Sequence, residues 1–262
     1  MHDYLKAILK NKKQEIAHLK ANFSSDAFSL STKKSFKRII SSTPTTIIAE
    51  IKRRSPSKGH LAEIADPVAL AKQYVQGGAA GVSVLTDKLA FDGSIRDLQQ
   101  VSLELRDRPV AVLRKDFILD PLQIEEAAVA GADAILLIVA ILKDAKKILL
   151  QKAHECGLEA LVEVHNRQEL DQAIEIGAEI IGVNNRNLTT FSVDPNNALK
   201  LKPYIPDHII SVAESGIHTV SDAKRYISAG YNAVLVGEAL VKSENPQQFI
   251  SAIKENDSTA LD

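Results

Sequence analysis

Apolar residues along this chain come in short, nearly continuous runs rather than in strict alternation. Eight such runs stand out: "TTIIAEIK" (45–52), "GVSVLT" (81–86), "RPVAVLRKDF" (108–117), "DAILLI" (133–138), "EALVEV" (159–164), "EIIGVN" (179–184), "HIISVAES" (208–215) and "NAVLVG" (232–237). Each is too short for a helix to bury, and each is rich in Val, Ile, Leu and Ala. This is the pattern of a parallel strand covered on both faces. Five of the runs follow a helix-like stretch that ends in Gly, as in "QGGAAGVSVLT", "AGADAILLI", "CGLEALVEV", "IGAEIIGVN" and "AGYNAVLVG". A glycine there supplies the left-handed residue that closes a helix.

Amphipathic stretches such as "DPLQIEEAAVA" (120–130) and "NRQELDQAIEI" (166–176) separate the runs. Asp66-Pro67 and Asp120-Pro121 each place an N-cap acid before a proline at the first helical position. Eight β/α units in one chain predict an α/β fold, a single (β/α)8 TIM barrel. A doubly wound open sheet is the alternative, but no GxGxxG follows the first run. The chain of 262 residues fits one such barrel without a second domain. We expect an N-terminal helical extension over 1–44, the barrel over 45–250 and a loose tail over 251–262. The extension carries apolar positions at Leu5, Ile8, Leu9, Ile16 and Leu19, an amphipathic helix rather than a signal peptide.

Composition narrows the classes of function. The formal charge is -1, so no global field draws the chain to nucleic acid or to a membrane. No apolar run reaches the roughly 18 residues of a membrane span. One cysteine, Cys156, cannot form an internal disulfide, which points to a reducing cytoplasm. The seven histidines show no metal-ligand spacing, so neither a metal nor an organic cofactor is expected. His165 reads as a structural residue and Cys156 as a small packed one. The expected partner is a small-molecule substrate, and the expected state is a monomer.

Charged residues sit where a barrel places its chemistry. Catalytic groups in such barrels come from the C-terminal ends of the strands and the loops beyond them. The first run ends in Glu50 and Lys52, which share a face because side chains alternate. The third ends in Arg114, Lys115 and Asp116, and the fifth in Glu163. The sixth ends in Asn184 and Arg186, the seventh in Glu214, Ser215 and Gly216, the eighth in Gly237 and Glu238. Taken singly, each could be a solvated strand edge, and Arg53, Arg54, Lys58 and Asp116 are read that way. Taken together they predict a polar mouth, because unpaired buried charge is costly and these groups must pair or meet a ligand. Gly216 and Gly237, after the last two strands, mark a candidate phosphate cradle made of backbone N–H groups.

"IIAEIKRRSPSKG", "VLRKDFI", "LVEVHN", "IGVNNRNL", "AESGI" and "LVGEAL" occur here in one order. In that order and spacing the chain resembles the indole-3-glycerol phosphate synthases of tryptophan biosynthesis, over essentially its whole length. The resemblance implies ring closure of 1-(2-carboxyphenylamino)-1-deoxyribulose 5-phosphate with loss of carbon dioxide and water. It implies Lys115 as general acid, Glu163 as the acid/base partner in dehydration, Glu50 as a supporting carboxylate and Lys52 as a positioning cation. It implies Ser55, Asn184, Arg186 and Glu214 as substrate-positioning groups, and Ser215, Gly216, Gly237 and Glu238 as the phosphate cradle. Pro56, Phe91, Phe117, Leu136 and Leu188 read as plain core from the residues alone; the resemblance implies that they wall the aromatic ring. The chain departs from many members at Ala239, where a serine is common, and in having no tryptophan, for which Tyr4 or Phe23 are the nearby aromatic substitutes. Other sugar-phosphate barrels, a phosphoribosyl isomerase or a Schiff-base aldolase using Lys115, are the competing enzymes. A non-catalytic binding barrel and a subunit of a multi-enzyme assembly are competing readings of other kinds.

Overall fold

The computed structural model describes residues 3–23, 33–43 and 45–255. Eight parallel strands close into a barrel: β1 (Thr46–Ile51), β2 (Gly81–Leu85), β3 (Ala111–Lys115), β4 (Ala134–Ile138), β5 (Glu159–Val164), β6 (Ile180–Asn184), β7 (Ile210–Glu214) and β8 (Ala233–Val236). Closure is made by β1, which pairs Ile48 with Gly81 on one side and Thr46 with Ala233 on the other. The eight apolar runs are these eight staves.

Two helices precede the barrel, α1 (Asp3–Asn22) and α2 (Phe36–Ile40). Around it follow α3 (Pro67–Gln76), α4 (Lys88–Phe91), α5 (Ile95–Glu104), α6 (Pro121–Val129), α7 (Val139–Leu142), α8 (Lys146–Glu155), α9 (Arg167–Glu175), α10 (Asn197–Leu201), α11 (Val220–Ser228), α12 (Glu238–Lys242) and α13 (Pro246–Lys254). Asp66 and Asp120 cap α3 and α6 as the sequence suggests, each accepting backbone N–H bonds ahead of a proline. The last helix runs to Lys254, past the expected end of the barrel at residue 250. Of the expected tail, 256–262 lies outside the described residues.

Alternation along the strands makes two cores. Ile47, Ala49, Ile51, Val82, Val84 and Val112 point outward and pack beneath the helices. Ile48, Leu113, Leu136, Leu161, Val212 and Leu235 point inward and fill the barrel. The bottom is closed by α2, whose Phe36 and Ile40 are fully buried against the inner core. This plug is held by polar bonds: Ser35 Oγ donates to Glu159 (3.0 Å), and Lys34 N–H donates to Asp133 (2.9 Å). With the lower end sealed, the inner positions near the upper strand ends are left to polar residues.

Candidate active site

The inward alternation that places Ile48 and Leu113 in the core places Glu50 and Lys115 one step higher. Glu163, Asn184 and Glu214 reach the same level on β5, β6 and β7. All seventeen residues singled out as catalytic, substrate-binding or phosphate-binding line one cavity at this end of the barrel. The empty space there is about 1070 Å3, which includes the open mouth.

The floor is a cluster of alternating charge. Lys115 Nζ stands 3.2 Å from Glu214 Oε2 and 3.4 Å from Glu163 Oε2. Lys52 Nζ stands 2.6 Å from Glu50 Oε1. Burial opposes the charge on Lys115, but Glu214, Glu163 and Glu50 outweigh it and raise its pKa, so it is an ammonium. Burial also opposes the charge on Glu163. There Lys115 and His165 win, and its carboxyl is held below the ordinary range. For Glu214, burial wins over Lys115, with Glu163 and Glu50 adding repulsion, and its pKa rises. One ammonium thus serves two buried carboxylates in unlike states, a common way of dividing acid and base roles. Neither oxygen of Glu214 accepts a directed hydrogen bond among the described residues, so both are available to a ligand hydroxyl.

Two glycines make room for this cluster. A Cβ on Gly182 would collide with Glu214 Oε1, and one on Gly237 would collide with Glu50 Oε1 and stand 3.0 Å from Lys52 Nζ. From sequence Gly237 is expected to let an anion approach; in the structure it also makes space for the Glu50–Lys52 pair. Gly182 was not singled out at all. The signal was present, a glycine inside a six-residue strand run, where it weakens the strand and often marks close approach.

The loops above carry the remaining residues. Beyond β1 the chain makes a small hairpin, Arg54–Ser55 against Gly59–His60. Ser55 Oγ accepts from Lys58 N–H (3.2 Å) inside it, and Lys58 Nζ reaches Glu238 (2.7 Å) on the β8 side. Arg186 donates to Ser57 Oγ (3.2 Å) and to the carbonyl of Phe191 (3.1 Å), which ties the loops after β1 and β6 together. Ser215 has φ 64 and Gly216 φ 74, so the chain turns left-handed twice as it leaves β7. The first N–H groups of α12, from Glu238 on, have no intrahelical acceptor. The Glu238 carboxylate itself is occupied by Lys58 and Lys242.

One wall is apolar. Phe91 and Phe117 stack with centroids 6.2 Å apart, and Leu136 and Leu188 line the same cavity. Leu5 and Ile8 of α1 complete it from above. Tyr4 makes an edge contact with Phe191 (5.4 Å).

Two sequence readings are corrected. Asp116 is not a solvated edge: it is buried, with Lys12 Nζ 2.8 Å from Oδ1 and Thr86 Oγ1 donating to Oδ2 (2.5 Å). Arg53 is half-buried, donating to Asp97 and to the carbonyl of Ile64 (3.1 Å), and it braces the loop after β1. Among the described residues no cluster of three His, Cys, Asp or Glu has metal-ligand geometry. No helix among them is long and apolar enough to cross a membrane.

Residues 5–253 match the family model described as indole-3-glycerol phosphate synthase. A protein of that name from Chlorobium phaeovibrioides is 48% identical over 250 residues, covering 92% of this chain and 96% of its own. Another, from Lachnoclostridium phytofermentans, is 44% identical over 248 residues, 94% of this chain and 90% of its own. Among solved structures, 3-hexulose-6-phosphate synthase from Salmonella typhimurium superposes with a TM-score of 0.63 at 14% identity, covering 80% of this chain and 96% of that one. At that identity the likeness is one of fold.

Proposed function

Since the chain belongs to the indole-3-glycerol phosphate synthase family of decarboxylating lyases, we propose the following division of labour in its mouth. The observation that carries it is the single Lys115 ammonium set between Glu163 and Glu214 beside an aromatic wall.

The carboxyphenyl ring packs against Phe91, Phe117, Leu136 and Leu188, with Pro56 at the edge. The ring carbon that bears the carboxylate attacks the ketone carbon of the sugar chain. The carbonyl electron pair moves to oxygen, and Lys115 gives that oxygen a proton. An alkoxide is far more basic than the amine left behind, so even a lysine of raised pKa gives up its proton here. Carbon dioxide then leaves, returning its bonding electrons to the ring. In the last stage the new hydroxyl departs as water, taking a proton from an ammonium group of the mouth, where Lys52 and Lys115 stand. Glu163, held anionic, removes a proton from the carbon beside nitrogen to form the indole double bond. Two protons enter and one leaves, so a carboxylate substrate takes up one proton per turnover.

Glu214 and Asn184 receive the sugar hydroxyls, Ser55 orders the hairpin against the ring, and Arg186 holds the loops over the substrate. The phosphate lies against backbone N–H groups at Ser215, Gly216, Gly237 and Glu238, with Lys52 supplying positive charge. Ala239 removes one side-chain hydroxyl from this cradle, which leaves the backbone as its chief donor. The chain acts as a monomer in the cytoplasm. Among the described residues the exposed large apolar ones, Leu89, Leu103, Val129, Ile148 and Tyr204, lie on separate elements, which favours that state.

Fluorescence should report indole product from the carboxyphenylamino substrate with no added metal or cofactor. Borohydride added during turnover should trap nothing. A trapped adduct at Lys115 would replace this mechanism with imine chemistry, and light scattering at twice the monomer mass would displace the monomer.

A further inference from the structure

Glu163 is almost wholly enclosed, and its two oxygens face different partners. Oε2 faces Lys115, while Oε1 lies 3.2 Å from His165 Nε2. That second contact is close but off the axis of a directed hydrogen bond, so it acts through charge. The far nitrogen of the ring, Nδ1, lies 2.9 Å from Glu169 Oε2. Glu169 is fixed in its turn: it accepts from the His165 backbone N–H (2.8 Å) and from Asn166 Nδ2 (2.7 Å). The strand end is clamped as well, since Asn197 Nδ2 on α10 donates to the His165 carbonyl (3.1 Å). The imidazole is therefore wedged between a buried carboxylate on β5 and a half-buried one on α9. A histidine between two carboxylates is cationic in this setting. Burial lowers its pKa, but Glu163 and Glu169 outweigh it and raise the value to about 9.

We infer that His165 is a positioning residue for the reaction: its imidazolium, anchored by Glu169, keeps Glu163 anionic and engages Oε1, leaving Oε2 as the oxygen that takes the substrate proton. This rests on the reading of Glu163 as the base of the dehydration. The anchoring explains why a residue outside the first ring of substrate contacts is a histidine held at both nitrogens. A neutral side chain of similar size could fill the space but would add nothing to the charge of Lys115, which is the other cation holding the neighbouring carboxyl ionised. The charged groups facing the ring are Glu163 and Glu169. Lys115 acts on Glu163 from the opposite side, and Glu214, beside Lys115, repels Glu163 directly.

The test is a comparison of His165→Gln, Glu169→Gln and Glu163→Gln with the wild type, each checked for folding by circular dichroism. Rapid quench would follow carbon dioxide and indole separately, and kcat would be measured from about pH 3.5 to 10. His165→Gln should lower kcat about tenfold, less than the 10²–10⁴ expected for losing the base itself. KM should move by no more than about threefold, because the phosphate and ring contacts are untouched. Carbon dioxide should appear ahead of indole, as in Glu163→Gln. The acidic limb of kcat set by Glu163, which lies at about pH 2 in the wild type, should also rise to higher pH, because Glu163 loses one of the two cations that depress its pKa. Glu169→Gln should shift that limb the same way by less, and this variant stands if His165→Gln fails to fold.

A His165→Gln enzyme with reduced melting temperature but an unmoved acidic limb and no lag of indole behind carbon dioxide would overturn the inference. If Glu163→Gln shows that lag while the other two variants do not, the Glu163 reading stands and this one falls. If none of the three shows it, Glu163 is not the dehydration base, and both readings fall together.

Discussion

At Gly182 the absence of a side chain is what the site requires. The β6 strand would be better served by Val or Ile, yet any Cβ there enters the space of Glu214. We expect Gly182→Ala to fold, since one methyl group meets the end of a side chain rather than backbone. It should push Glu214 off Lys115 and lower kcat/KM about 10²-fold, the usual effect of a misplacement of about 1 Å at a reacting centre. Steady-state kinetics on a folded variant checks this; near-normal kcat/KM would mean that Glu214 does not need its present position. Lys115→Met is the sharper change. It keeps the stem, removes the proton donor, and should lower kcat by about 10²–10⁴ with KM nearly preserved. These two residues also mark what sequence made legible. Lys115 announces itself as a charge at the end of an apolar run. Gly182 signals only that something comes close, because the residue it makes room for lies thirty-two positions away on a neighbouring strand.

At the scale of elements, α1 carries a contradiction that the structure resolves. Its apolar stripe, Leu5, Ile8, Ile16 and Leu19, passes through Lys12, which is 1% exposed. A lysine on such a stripe needs a buried partner, and Lys12 has two: Asp87 and Asp116, each 2.8 Å away. Both carboxylates are otherwise spoken for. Asp87 caps α4 through Ala90 N–H (2.6 Å), and Asp116 also takes Phe117 N–H (2.7 Å) and faces Arg114 (3.3 Å). The helix is therefore fastened beside Lys115 by one ion cluster, with Leu5 and Ile8 laid over the cavity at the mouth. Replacing Lys12 by Met should cost about 3–5 kcal/mol, since two carboxylates would remain buried with a partner removed. Urea denaturation should show it as a lower midpoint at unchanged slope. Lys12→Met combined with Asp87→Asn should recover part of the loss, and additive losses would show that the pair is not coupled. From sequence the helix was legible, but its fastening was not. Lys12 and Asp116 are 104 positions apart, and Asp116 alone looks like any strand-end acid.

Across the whole molecule the eight-fold repeat was legible because each β/α unit carries its own local signals: a glycine after the helix, an apolar run, a polar strand end. What the repeat cannot convey is how charges from different units neutralise one another when the barrel closes. His165 gives a measurable case. Its pKa rises from an ordinary 6.5 to about 9 in the folded protein, so the folded state binds a proton more tightly than the unfolded chain does. For such a group the stabilisation is complete below about pH 6.5 and is lost as pH rises through about 9. Its full size is on the order of 3 kcal/mol. The depressed pKa of Glu163 is partly the same interaction seen from its other partner, so the two are not added. It sets the acid edge, because that stabilisation is present above the unfolded carboxyl value and is lost as pH falls through the folded one. The melting temperature of the wild type should therefore exceed that of His165→Gln most clearly between about pH 5 and 6.5, and the gap should narrow steadily towards pH 10. Taking the difference between the two proteins removes the titration of the shared groups that do not face His165, leaving that of His165 with Glu163 and Glu169. Scanning calorimetry at half-unit intervals would measure it. A gap constant from pH 5 to 10 would mean that His165 stabilises the barrel by packing alone, with no charge held between Glu163 and Glu169.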